Sequence, residues 1–123
     1  ARLGVKVMIT ELDVDILPRA AKDGAEVGTR IPYSAALDPY RDSLSSAMQD
    51  ALAKRYADLF RIYLKHRDAI SRVTFWGVTD RTTWLNNYPM PGRSNHPLLF
   101  DRQRQPKRAF DAVVRAATEK PRA

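Results

Sequence analysis

Val7-Met8-Ile9-Thr10-Glu11-Leu12-Asp13-Val14-Asp15 begins as an apolar run and ends on three acids spaced two residues apart. Val5–Ile9 reads as a short strand, rich in β-branched residues. If that strand continued, Glu11, Asp13 and Asp15 would share one face. A carboxylate where a buried strand meets its loop can serve as a nucleophile, an acid/base or a metal ligand. It can equally be a strand-end acid hydrogen-bonded to neighbouring loops.

The elements on either side decide which architecture holds that strand. Ala1–Gly4 reads as the last turn of a helix closed by glycine. Residues 16–42 are punctuated by Pro18, Gly24, Gly28, Pro32 and Pro39 and keep no period. From Ser45 to His66 the residues Met48, Leu52, Tyr56, Leu59, Phe60, Tyr63 and Leu64 recur at spacings of three and four, which predicts an amphipathic helix. The stretch from Ile70 to Asp80 contains a second strand, Val73-Thr74-Phe75-Trp76-Gly77-Val78, with little polar alternation, as expected when both faces are buried. A second long polar loop covers 81–106. A final helix then starts at Pro106 or Lys107 and runs to about Ala117, with Ala109, Phe110, Val113, Val114 and Ala117 on its apolar side.

Strand, loop, helix, repeated twice, predicts an α/β chain with a parallel sheet. Two parallel strands cannot cover both of their own faces. The long loops follow the strands and hold the polar and aromatic residues, which is the asymmetry of a (β/α) barrel whose active site lies at the strands' C-terminal ends. Residues 1–123 therefore read as one incomplete segment of such a barrel. The chain opens on Ala1 rather than methionine, which suggests processing, truncation or a partial sequence.

Composition narrows the function classes. Without cysteine, disulfides and thiolate zinc sites are excluded. No signal-like leader and no membrane-length apolar run are present, so no membrane partner is expected. The net charge of +7 raises acidic partners as a possibility, yet the basic residues are scattered. The densest run, Arg102 to Arg108, holds no aromatic residue for stacking, so it reads as a solvated surface and nucleic acid is not expected as a partner.

Among the candidate site residues, Asp13 and Asp15 fit turn-shaping acids. A hard-cation site built from Glu11, Asp13 and Asp15 lacks the glycine and spacing of a calcium loop, so no metal or other cofactor is expected. Trp76 lies on the second strand, where tryptophan is commonly core. Trp84 lies in a polar loop with Asn86, Asn87, Tyr88, Arg93 and Asn95. Indole faces stack on sugar rings while amides and charges bind hydroxyls, so this mixture suits a carbohydrate. His66 fits a helix-end cap and His96 has no adjacent carboxylate. No serine elbow or phosphate-binding glycine loop occurs.

Three strings together resemble family 10 glycoside hydrolases, the endo-β-1,4-xylanases. Val7 to Val14 looks like their nucleophile strand. Val73 to Asp80, followed by Thr83-Trp84-Leu85, looks like their eighth strand and its tryptophan loop. Pro97-Leu98-Leu99-Phe100-Asp101, followed by Pro106-Lys107, looks like their C-terminal signature. The resemblance implies a TIM (β/α)8 barrel, of which this chain holds strands seven and eight with their helices. It implies a retaining hydrolase of internal xylan bonds with Glu11 as nucleophile. Trp76 and Trp84 would be aromatic walls of the substrate site, and Arg93 and Asn95 further substrate-binding positions. Asp13 would support the nucleophile loop and Asp80 the top of the last strand. Arg108 and Phe110 depart tolerably from the Pro-Lys-Pro-Ala-Tyr usual in the family.

The resemblance also implies an acid/base glutamate preceded by asparagine. Besides Glu11 only Glu26 and Glu119 are present, and neither follows an asparagine. The acid/base therefore lies outside this chain, the remainder of the barrel is an expected partner, and the isolated segment is expected to be inactive. A polymeric substrate implies a secreted or periplasmic protein. A non-catalytic carbohydrate-binding fragment is the alternative.

Overall fold

Ser46–Lys65 forms the longest element of the computed structural model, helix α1, which packs beside α2 (Arg108–Thr118) over strands β1 (Val7–Leu12) and β2 (Ile70–Phe75). The structure describes residues 3–20 and 28–120. The Ser45 side chain accepts the Met48 N–H to start α1, and His66 closes it, its N–H returning to the Ile62 carbonyl. Each helix lies within about a residue of its expected position. The proposed helical turn at Ala1–Gly4 falls partly outside the described residues; Gly4 has the positive φ of a glycine cap.

The two strands pair in parallel, as expected, but not where the sequence pattern put their ends. β1 continues past Ile9 to Leu12, while β2 stops at Phe75, so Trp76 lies just beyond the strand rather than on it. The Trp76 N–H still reaches the Leu12 carbonyl, at 2.9 Å. Gly77 follows with φ of 143°, and a Cβ there would sit 2.8 Å from Leu98 Cδ1, so the chain turns out of β2 where only glycine fits.

The pairing register carries the feature that matters most for the site. Ile9 pairs with Val73 and Leu12 with Phe75, so two residues of β1, Thr10 and Glu11, stand against the single Thr74. This is a β-bulge, and Glu11 adopts φ of 56° within it. The bulge turns Ile9 and Leu12 to the same side, where both are half-buried together with Val73 and Phe75. It also ends the strict alternation, so Glu11, Asp13 and Asp15 do not line one strand face.

The core lies on the helix side of the strands. Leu52 and Tyr56 of α1 and Ala109 of α2 are fully enclosed, with Leu17 and Leu44 beside them. Phe60 stacks on Phe75 with centroids 5.9 Å apart. The buried side of α2 is Ala109 and Ala116 with Val113 packed on the core, spaced at four and three. Val114 and Ala117, expected inside, face outward because they fall off that stripe. The strands are left partly uncovered: Val7, Met8, Trp76 and Val78 are all exposed large residues.

The loop between β2 and α2 folds around charge. Lys107 Nζ donates to Asp80 Oδ2 at 2.8 Å and to the carbonyls of His96 and Leu98 at 2.8 and 2.7 Å, while Asp80 Oδ1 accepts the Leu98 N–H. Both side chains are buried. Removing either partner strands the other charge, which costs about 3–5 kcal/mol at such sites. The run Arg102 to Arg108 is mostly exposed, as its composition suggests, with Gln103, Arg104, Gln105, Pro106 and Arg108 at the surface; Lys107 is the buried exception and Arg102 is half-buried. Lys107 and, in part, Arg102 point inward, and Arg108 bridges to Asp50 and Ser46 of α1.

His96 belongs to the same cluster. Its Nε2 lies 2.6 Å from the Tyr40 carbonyl, which can only accept, so Nε2 carries the proton and Nδ1 accepts from Arg102 at 3.1 Å. Burial pushes its pKa down to about 4, with the Arg102 and Lys107 charges adding to the effect. An unfolded histidine titrates near about 6.5. The folded state therefore holds its full advantage above that pH and loses it as pH falls from about 6.5 toward 4, by an amount on the order of 2 kcal/mol. Urea unfolding of a complete barrel that contains this segment should show this acid limb, and His96→Gln should flatten it. An identical pH dependence in the variant would contradict the assignment.

Candidate active site

Glu11 reaches its position through the bulge at the C-terminal end of β1. In a parallel barrel this end faces the substrate. A left-handed backbone at a bulky non-glycine residue is a strained state, kept only where the surroundings over-determine it, and bulges beside active sites re-aim side chains. Glu11 is exposed.

Asp13, two residues on, reaches across to the second loop. Trp84 Nε1 donates to Asp13 Oδ2 at 2.8 Å. Burial holds the Asp13 carboxyl above its usual range; the Trp84 N–H opposes the shift and the neighbouring Asp15 charge adds to it. The other end of this link is also fixed. The Trp84 ring stacks on Tyr88, with centroids 4.8 Å apart and planes 18° from parallel. The Arg30 guanidinium lies 5.3 Å from the Tyr88 centroid. Trp84 retains 36% of its surface and Trp76 50%, so each offers an indole face to solvent. The structure thus brings Glu11, Asp13, Trp76 and Trp84 to one end of the strands.

Arg93 and Asn95 occupy different surroundings from those expected of sugar contacts. Arg93 is buried, donating through Nε to the Leu37 carbonyl at 2.8 Å and through Nη2 to the Pro18 carbonyl. Asn95 is fully enclosed: its N–H donates to Asn86 Oδ1 and its own Oδ1 accepts the His96 N–H. Both side chains shape the loops rather than opening to solvent. A guanidinium in a polar loop is equally suited to carbonyls and to hydroxyls, which is why residue type alone does not separate the two uses. Asp80 lies in the loop that follows β2, and its partner Lys107 lies 27 positions along the chain, so no local pattern announces it.

Asp38 was not singled out by the sequence, and it ties the two loops together. Its buried carboxylate accepts the Ser94 N–H at 2.9 Å, the Tyr33 hydroxyl at 2.9 Å and an Arg41 N–H at 2.7 Å. Ile31 N–H donates to the Pro89 carbonyl at 2.8 Å. The loop after β1 and the loop after β2 are thus tied to each other.

Comparison with known proteins places this geometry. The sequence profile of glycosyl hydrolase family 10 matches residues 1–116. The chain is 42% identical to endo-1,4-beta-xylanase A of Xylanibacter ruminicola over 113 residues, which are 91% of this chain and 31% of that protein. A solved GH10 endoxylanase from a sugarcane-soil metagenome superposes with a TM-score of 0.87 at 52% identity, covering 92% of this chain and 33% of that one. A solved mutant in complex with xylotriose superposes at 0.69 with 34% identity, over 92% and 30% of the two chains. The chain spans about a third of the length of the relatives it matches. The similarity falls in the C-terminal part of TIM-barrel proteins, and the chain belongs to glycosyl hydrolase family 10.

Proposed function

We propose that this segment supplies strands seven and eight of a retaining endo-β-1,4-xylanase, with Glu11 as the nucleophile. The observation that carries the reading is the bulged, left-handed placement of Glu11 at the strand end, beside the Asp13–Trp84–Tyr88 assembly. The similar solved structure in complex with xylotriose supports a xylo-oligosaccharide as the occupant.

In a retaining glycosidase the carboxylate attacks the anomeric carbon, the glycosidic C–O bond breaks, and a glycosyl-enzyme forms. A second carboxyl, about 5–5.5 Å away, protonates the leaving oxygen and then takes a proton from the water that releases the sugar. Glu11 performs the attack in this reading. The acid/base belongs to a strand outside this chain. Trp76 and Trp84 wall the sugar, Asp13 fixes the Trp84 indole, and Asp80 anchors the loop after β2 through Lys107. Arg93 and Asn95 act as loop ties rather than substrate contacts.

The remainder of the barrel is the partner that the open strand faces require. An apolar groove of about 330 Å³, lined by Phe75, Gly77, Val78, Leu99 and Phe100, flanks β2 on the side where a neighbouring strand would pack. A polymeric substrate supports a secreted or periplasmic location.

The direct test is a hybrid in which residues 1–116 replace the matched C-terminal third of the sugarcane-soil endoxylanase. The hybrid should hydrolyse xylan, and Glu11→Gln should lower kcat by at least about 10³-fold. Xylan binding that survives the substitution, with no turnover by the unmutated hybrid, would favour a non-catalytic carbohydrate-binding segment.

Asp13→Ala in the same hybrid removes a charge-assisted hydrogen bond to Trp84. It should raise KM about tenfold with a smaller change in kcat. A fall in kcat at constant KM would move the role of Asp13 from the indole to the nucleophile.

The isolated 123-residue chain should neither hydrolyse xylan nor melt cooperatively as a monomer, because its strand edges and one sheet face are uncovered. A sharp monomeric transition by calorimetry would contradict this.

A further inference from the structure

We propose that Tyr33 is a stacking platform for a β-1,4-linked pyranose chain, forming a subsite away from the cleavage point. This deepens, and rests on, the reading of the segment as part of a xylan-cleaving barrel. Tyr33 lies on the loop that follows β1, at the same end of the strands as Glu11. Its ring is 48% exposed, yet it is clamped. The hydroxyl donates to Asp38 Oδ2 at 2.9 Å and accepts from Arg41 Nη1 at 2.6 Å, and the Arg41 guanidinium lies 5.7 Å from the ring centroid. Asp38 cannot drift, being buried and holding the Ser94 N–H with its other oxygen.

The clamp bears on what the ring can do. An aromatic side chain already fixed in orientation loses little rotamer freedom when a ligand settles on it, so more of the stacking energy appears as affinity. A flat ring suits the C–H face of a pyranose, and the exposed Arg41 guanidinium beside it offers a donor to sugar hydroxyls.

The backbone places this platform with the rest of the site. Ser34 N–H donates to Met90 Sδ at 3.0 Å, and Ile31 N–H to the Pro89 carbonyl at 2.8 Å. Both acceptors adjoin or follow Tyr88, which is stacked on Trp84. Tyr33, Tyr88 and Trp84 therefore sit on two loops stitched to each other, and a glycan several sugars long has more than one ring to lie against. A short substrate bound at Trp84 would leave Tyr33 unused.

The experiment compares xylohexaose with xylotriose in the hybrid barrel, unmutated and with Tyr33→Ala or Tyr33→Phe. Tyr33→Ala should lower kcat/KM for xylohexaose about tenfold, through KM, and leave xylotriose within about twofold. Tyr33→Phe keeps the ring and should retain most of the hexaose rate. An unchanged hexaose-to-triose ratio in Tyr33→Ala overturns the subsite. So does an equal loss on both substrates, or a Phe variant as damaged as the Ala one, because each assigns Tyr33 to holding the loop. If the unmutated hybrid turns over neither substrate, the xylanase reading fails first and takes the subsite with it.

Discussion

The Lys107 ammonium, enclosed by the Asp80 carboxylate and the His96 and Leu98 carbonyls, is the interaction on which the site end of this structure depends. It joins Asp80, in the loop that follows β2, to the residue that precedes α2, and the loop between them must close around it. Asn86 Oδ1 then accepts from the Asn95 backbone N–H and from Arg102 along that loop, the Asn86 side-chain amide also donating to the Asp80 carbonyl. A charge pair taken out of water is a poor source of net stability, but it is intolerant of misplacement. Here that intolerance sets the loop that carries Trp84, and through Asp38 and Arg93 it also sets the loop that follows β1.

The second constraint is the uncovered side of a two-stranded parallel sheet. The helices bury one side, where Leu12 and Phe75 pack on the core and Phe75 meets Tyr56 and Phe60 of α1. The bulge at Thr10 and Glu11 gives that side two consecutive anchoring positions. The left-handed Glu11 conformation thus goes with a register shift in the pairing of the two strands. Closing the barrel would cover Val7, Met8 and Val78 and would supply the second carboxyl.

Much of this was legible in the residues. The period of Leu52, Tyr56 and Phe60 gave α1 nearly to the residue, because an amphipathic stripe is a local signal. Glu11 at a strand–loop junction and Trp84 in a polar loop pointed to the site for chemical reasons, and the family resemblance gave them roles. What could not be read was non-local or backbone-borne. Lys107 looked like one more cation in a basic run because its partner lies far off in sequence. The inward turn of Arg93 depends on two backbone carbonyls, which no side-chain pattern marks. The bulge at Glu11 depends on pairing with Thr74, and the clamp on Tyr33 on Asp38 and Arg41. Val114 was placed inside because apolar character was weighed over its angle on α2.

Under the proposed function, the Glu11 carboxylate makes the bond to sugar. An activated 2-deoxy-2-fluoro xylobioside needs no proton on its leaving group and leaves a slowly hydrolysed glycosyl-enzyme, so it isolates that step from the acid/base. Peptide mass spectrometry of the labelled hybrid should find the adduct on Glu11. An adduct on another carboxylate, or none from a hybrid that cleaves xylan, would contradict the account.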